Sequence, residues 1–202
     1  MVDFFVQGGG FMWPILIALL FGLAIIGERA YSLINSSSDT NQFFEEVKTI
    51  YSDSGKKQAI EFCENSPGPV ASIFYAGLSK MNKTKEEIEK AVQNAGGLEM
   101  AFLEKNMIWI NSVITIAPML GFTGTVVGMI KAFEDIKMAN DISPAVVAGG
   151  ISQALLTTAF GLIVAMIMQV AQNFFVSMID KLILDMEEQS IKIVEYLHSS
   201  KK

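Results

Sequence analysis

Two threonines, each set in a stripe of small residues inside a long apolar segment, are the polar side chains of this sequence that most need a partner. Gly121, Thr125, Gly128 and Ala132 recur at steps of three or four, as do Gly150, Ala154, Thr158, Gly161 and Ala165. Each set therefore occupies one face of a helix. A hydroxyl facing a dry interface without a hydrogen-bond partner is costly, so some partner is implied. Ionisable side chains are missing around them: Phe4 to Gly27, Asn106 to Ile130 and Ile142 to Ile179 contain no Asp, Glu, Lys, Arg or His. An autonomous proton carrier holds such a group at membrane depth. Two readings of the stripes stay open. They pack the two helices on each other, each Thr bonding back to the carbonyl four residues earlier, or they let a helix of another chain come close.

The elements that must position these residues follow from the charge spacing. The charge-free runs are 24, 25 and 38 residues long, and a spanning helix needs about 20. Only 18% of the chain is charged and 51% is hydrophobic, against about 25% charged for a soluble domain. The expectation is an all-α membrane protein with three transmembrane helices and long helical extensions. Its parts are an interfacial segment (1–10), a first span (11–34), a helical insert (35–105), a second span (106–132), a loop (133–144), a third span (145–176) and a helical tail (177–202).

Within the insert, Asp39 with Gln42 and Thr84 with Glu87 resemble capping boxes, while Ser54-Gly55 and Ser66-Pro67-Gly68-Pro69 separate short helices. No proline follows Thr84 until Pro118, so a single helix is expected to run from the insert into the second span, with Gly96-Gly97 as its bending point. Beyond Gly161 there is neither glycine nor proline, and Ile179, Ile183, Met186, Ile193 and Leu197 recur at helical spacing. A helix from near Pro144 to near His198, about 80 Å long, is expected. Its apolar stripe calls for neighbours, which copies of the same chain could supply.

All of the fifteen Lys and Arg residues except Lys131 and Lys137 fall between the first two spans or after the third. The positive-inside rule then puts the amino terminus outside, residues 35–105 and the tail in the cytoplasm, and the 133–144 loop outside. Met1 to Gly10 carries no basic residue, so a cleaved signal peptide is not expected. Trp13 suits the outer headgroup region.

Several functions are disfavoured. A net charge of −6 offers no field for nucleic acid. Cys63 is the sole cysteine and His198 the sole histidine, which leaves no disulfide framework, no metal site and no acid–base set for an intramembrane enzyme. Cys63 reads as a small core residue, His198 as a favourable charge at a helix end, and Glu134, Asp135 and Asp141 as a solvated acidic turn.

The segment Thr115-Ile116-Ala117-Pro118-Met119-Leu120-Gly121-Phe122-Thr123-Gly124-Thr125-Val126-Val127-Gly128-Met129 resembles the second-span signature of the MotA/TolQ/ExbB proton-channel family. The segment from Gly150 to Ala165, with Asn173 beyond it, resembles the third-span signature. Three spans, an outside amino terminus and a long insert match the ExbB/TolQ branch better than four-span MotA. The resemblance implies a homo-oligomeric, pentameric ring in the bacterial inner membrane, with a periplasmic amino terminus and a cytoplasmic carboxyl terminus. The ring surrounds the paired helices of an ExbD/TolR-like single-span protein whose aspartate carries the proton. It implies that proton-motive-force energy passes to the outer membrane through a TonB/TolA-like protein, as in TonB-dependent transport, and that no cofactor is needed. By motif position Thr125 and Thr158 are the pore threonines. Thr157 and Gln153 are further candidates for the ion path, and Gly121, Gly128, Ala154, Gly161 and Ala165 are the wall against the partner helices.

Some positions depart from the family pattern. Gln153 stands where the branch usually has glutamate, Ile167 where it has proline and Gln172 where it has tyrosine. A glutamine cannot relay protons by ionising, so a hydrogen-bonding role is expected for Gln153. Thr123 and Thr157 add neutral oxygens, which would serve Na⁺, whereas H⁺ requires a titrating group from the partner. The competing reading is a passive oligomeric scaffold or membrane anchor with an ion-tight core.

Overall fold

The computed structural model describes residues 2–36, 39–139 and 144–199. Ser37, Asp141 and most of the carboxyl end of the expected loop lie outside those residues, as do Lys201 and Lys202. The described chain is all-helical: α1 (Val2–Gln7), α2 (Met12–Ser36), α3 (Thr40–Ser54), α4 (Lys56–Asn65), α5 (Pro69–Ser79), α6 (Lys85–Leu103), α7 (Met107–Ala139) and α8 (Pro144–Ser199). Three stretches, in α2, in α7 and in α8, are long and apolar enough to cross a membrane. Two compact units result, one of Met1–Glu28 with Asn106–Phe174, the other of Arg29–Lys105 with Phe175–Lys202.

The apolar unit consists of α1, the first part of α2, α7 and α8 as far as Phe174. Gly22 of α2 packs on Met168 of α8 and Val113 of α7, so the three helices meet at that level. Ile110, Val113, Ala117, Val164 and Met168 are buried there, while Trp13, Ile17, Phe122, Val170 and Phe174 are exposed. Large apolar side chains facing outward around a small core suit a lipid or protein surround rather than water.

The charged unit builds its core from α3 to α6 and the last part of α8. Phe43 stacks on Phe62 with ring centroids 5.4 Å apart, Phe44 meets Phe74 edge-on, and Tyr196 of α8 meets both Phe44 and Tyr51. Gln189 donates to the Asn41 carboxamide oxygen at 3.0 Å, which also accepts from Lys192. Within this unit Ile179, Met186, Ile193 and Leu197 are buried. The apolar stripe of α8 therefore does not wait for other copies of the chain, contrary to the sequence expectation. The short insert helices fold back and cover it, leaving Leu184 and Ile191 exposed.

Two local expectations are corrected. The helix from the insert does not run unbroken into the second span, because α6 ends at Leu103 and α7 begins at Met107. The break falls at Asn106, whose φ of 65° is the left-handed conformation that asparagine tolerates. Gly96 and Gly97 stay inside α6. At Asp39 the cap is one-sided: its carboxylate accepts from the Asn41 and Gln42 amides, but the Gln42 side chain turns to Glu46. Thr84 and Glu87 form the full reciprocal box.

Arg29 is 1% exposed, and its guanidinium donates to the carbonyls of Phe102 and Leu103 at 3.4 Å. These carbonyls end α6, where a helix lacks partners and carries negative partial charge. Arg29→Met should lower the stability of the purified chain by about 1.5–3 kcal/mol, the range for hydrogen bonds to a charged group. The check is the thermal midpoint in one detergent, with Arg29→Lys falling between. An unchanged midpoint for Arg29→Met would remove this capping role.

Candidate functional site

Helices α7 and α8 pack antiparallel with their backbones nearly touching. A Cβ added at Gly161 would lie 2.5 Å from the Ala117 carbonyl oxygen, one at Gly121 2.8 Å from the Thr157 carbonyl oxygen, and one at Gly128 3.1 Å from the Ala154 Cβ. Gly150 meets Ala132 in the same way. The small stripes therefore lie against each other inside one chain, and Gly121, Gly128, Ala154 and Gly161 are all in this contact; Thr125 bonds back to the carbonyl four residues earlier, whereas Thr158 reaches across to α7. Ala165 is half-buried on the next turn of α8.

Close approach brings three hydroxyls onto two carbonyls. The Thr125 and Thr158 hydroxyls hydrogen-bond to each other. Thr158 Oγ1 also lies 3.1 Å from the Gly121 carbonyl oxygen, and Thr125 Oγ1 lies 3.3 Å from that oxygen and 3.1 Å from the Ala154 oxygen. Thr157 Oγ1 reaches the same two carbonyls at 3.3 and 2.7 Å. Thr125 and Thr158 are half-buried, whereas Thr157 is 1% exposed and sits behind them.

Counting protons shows what such a cluster can do. Each hydroxyl has one proton, and each carbonyl also takes its own helix amide. One hydroxyl can therefore swing out to a carboxylate without leaving a carbonyl unpaired. With the protons turned inward, the spare lone pairs accept from an arriving acid or water. Neither state requires a charge on this chain.

Gln153 of α8 lies directly on Gly9, whose φ is +74°, so a side chain there would collide with the carboxamide. Phe11 meets Gly124 beside Thr157. The segment ahead of α2 thus covers one end of the α7–α8 pair, a contact that no residue pattern announces. Thr123 bonds back to the Met119 carbonyl. Cys63 is 2% exposed, and burial pushes its thiol up to about 12, far from a nucleophile. Glu134 and Asp135 are exposed.

Three apolar helices, two of them joined by a glycine-lined contact around clustered hydroxyls, define a multi-pass α-helical membrane protein. The chain belongs to the MotA/TolQ/ExbB proton channel family, whose pattern it matches over residues 65–188. Its relatives place it in the ExbB/TolQ branch. It is 28% identical over 188 residues to an ExbB-like biopolymer transport protein of Synechocystis sp., covering 92% of this chain and 90% of that one. It is 28% identical over 180 residues to an ExbB homologue of Methanothermobacter thermautotrophicus, covering 89% of this chain and 64% of that one. It is also 28% identical over 125 residues to TolQ of the Tol-Pal system of Pseudomonas aeruginosa, covering 55% and 54%.

Proposed function

We propose that this chain is the ring-forming subunit of an ExbB/TolQ-type motor in the inner membrane, driven by ions and in the first place by protons. Five copies surround two helices of an ExbD/TolR-like single-span protein whose membrane carboxylate carries the proton. The amino terminus is periplasmic and the charged unit cytoplasmic, a reading supported by the placement of Lys and Arg. Each charge crossing the membrane releases about 2.3 kcal/mol per 100 mV. That work moves the partner inside the ring and is passed to the outer membrane through a TonB/TolA-like protein.

The observation that carries this reading is the half-buried Thr125–Thr158 pair, with its shared carbonyls, in spans that hold no ionisable group. It can exchange hydrogen bonds with a carboxylate in either protonation state but cannot bind a proton alone. The passive-scaffold reading draws on the same geometry, because all three hydroxyls already have partners within the chain. Native mass spectrometry of the chain co-expressed with a single-span, membrane-aspartate partner should show five copies with two of the partner. A monomer that does not retain the partner refutes the motor reading.

A further inference from the structure

The spans are not uniformly apolar beyond the threonine pair, toward the amino end of α7 and the carboxyl end of α8. Asn111 and Thr115 on α7 and Gln169 and Asn173 on α8 are exposed, although all four lie within charge-free runs. Exposed carboxamides are costly in hydrocarbon and need water or a polar partner. Gln169 donates to the Asn173 oxygen at 2.9 Å, and Thr115 bonds back to the Asn111 carbonyl at 3.0 Å. Those bonds use one Gln169 donor and one Asn173 acceptor and leave the rest of each carboxamide for other partners. One turn away, the Gln172 oxygen is buried with no donor among the described residues.

Gln169 and Asn111 share the threonine face, with Asn173 toward its edge and Thr115 beyond it. At 3.6 residues per turn, Gln169 is rotated about 20° and Asn173 about 60° from Thr158, while Asn111 is about 40° and Thr115 about 80° from Thr125. They also share a level, since Gly22 touches both Met168 and Val113, next to Gln169 and near Asn111. At 1.5 Å per residue, Gln169 lies about 16 Å and Asn173 about 22 Å along α8 from Thr158, toward Asp180. Farther round α8 at the same depth, about 120° and about 160° from Thr158, the apolar Val170 and Phe174 are exposed. Pro118, also on the threonine face, has no amide to give the Ile114 carbonyl, which adds a further acceptor along this line.

We propose that Asn111, Gln169 and Asn173 line a water-filled vestibule through which the ion passes between the Thr125–Thr158 pair and the cytoplasmic side of the membrane. The proposal rests on the ion-driven reading above. Neutral carboxamides hold a chain of waters without trapping the charge, as a carboxylate or an amine at that depth would. Water is the occupant, and lipid on this face is the alternative outcome.

The test uses the full chain with its single-span partner in inside-out membrane vesicles, in a Cys63→Ala background. Cysteines at Gln169, Asn173 and Asn111 should react with a small cationic methanethiosulfonate about tenfold or more faster than cysteines at Val170 and Phe174, because a thiol in lipid does not form the reactive thiolate. Gln169→Leu with Asn173→Leu should cut proton flux severalfold while the pentamer persists. Equal reactivity at Gln169 and Val170, or full flux in the double leucine variant, overturns the vestibule. Reactive thiols and reduced flux in the leucine variant, alongside normal flux in Thr158→Val, would uphold the vestibule and fail the threonine assignment instead.

Discussion

Thr158→Val is expected to abolish energised transport while leaving a ring that still assembles and still holds its partner. Valine keeps the shape of threonine and removes only the hydroxyl. The Gly121 and Ala154 carbonyls retain their helix amides and the remaining hydroxyls of Thr125 and Thr157, so no buried acceptor is stranded. The packing cost is then about 0.6 kcal/mol, the average for one interhelical hydrogen bond in a membrane. Such a cost cannot stop a stable assembly. A loss of transport would therefore report the hydroxyl's part in solvating the partner carboxylate. Proton uptake in vesicles, measured with native mass spectrometry on the same preparation, separates the two effects. Thr125→Val should behave alike, whereas Gln153→Leu should keep partial activity, since that side chain packs on Gly9 and does not ionise. Full activity in both valine variants would refute the pore role of these two threonines.

Gly161→Ala should be the most damaging single methyl in the protein. The new carbon would lie 2.5 Å from the Ala117 carbonyl oxygen. A backbone atom in the middle of a helix cannot step aside, so α7 and α8 must separate along their whole contact. Overpacking of this kind costs about 1–3 kcal/mol, occasionally more, and here it also pulls apart the hydroxyl cluster that depends on the same separation. Gly121→Ala should follow closely, with its carbon 2.8 Å from the Thr157 carbonyl oxygen. Gly128→Ala should be milder, because the obstacle is the Ala154 methyl at 3.1 Å. Gly97→Ala in α6 meets nothing within 4 Å and should gain about 0.5–1 kcal/mol as a helix substitution. Thermal midpoints of the four variants in one detergent should fall in that order. A Gly161→Ala midpoint equal to that of Gly97→Ala would contradict the backbone contact.

Much of the architecture is written in local order along the chain. A charge-free run longer than the bilayer is thick, a Thr-x-x-Glu cap ahead of α6 and the lack of glycine and proline beyond Gly161 each act through neighbours a few residues away. A linear reading can therefore find them. The same holds for the small stripes, since residues three or four apart share a helix face whatever the fold does. Which surface each face meets depends on tertiary structure. Gly121 and Gly161 have the same spacing whether they adjoin a partner or a helix of their own chain, and only the fold brings the Ala117 and Thr157 carbonyls against them. The apolar stripe of α8 looks free for the same reason, because the helices that cover it come from a segment far earlier in the chain. Arg29 is the sharpest case. In the sequence it is one more basic residue that helps orient the chain, and in the structure it is a buried cap on α6, because the Phe102 and Leu103 carbonyls reach it across more than seventy residues. Local spacing thus determines helices and their faces, and long-range packing determines which polar groups those faces must satisfy.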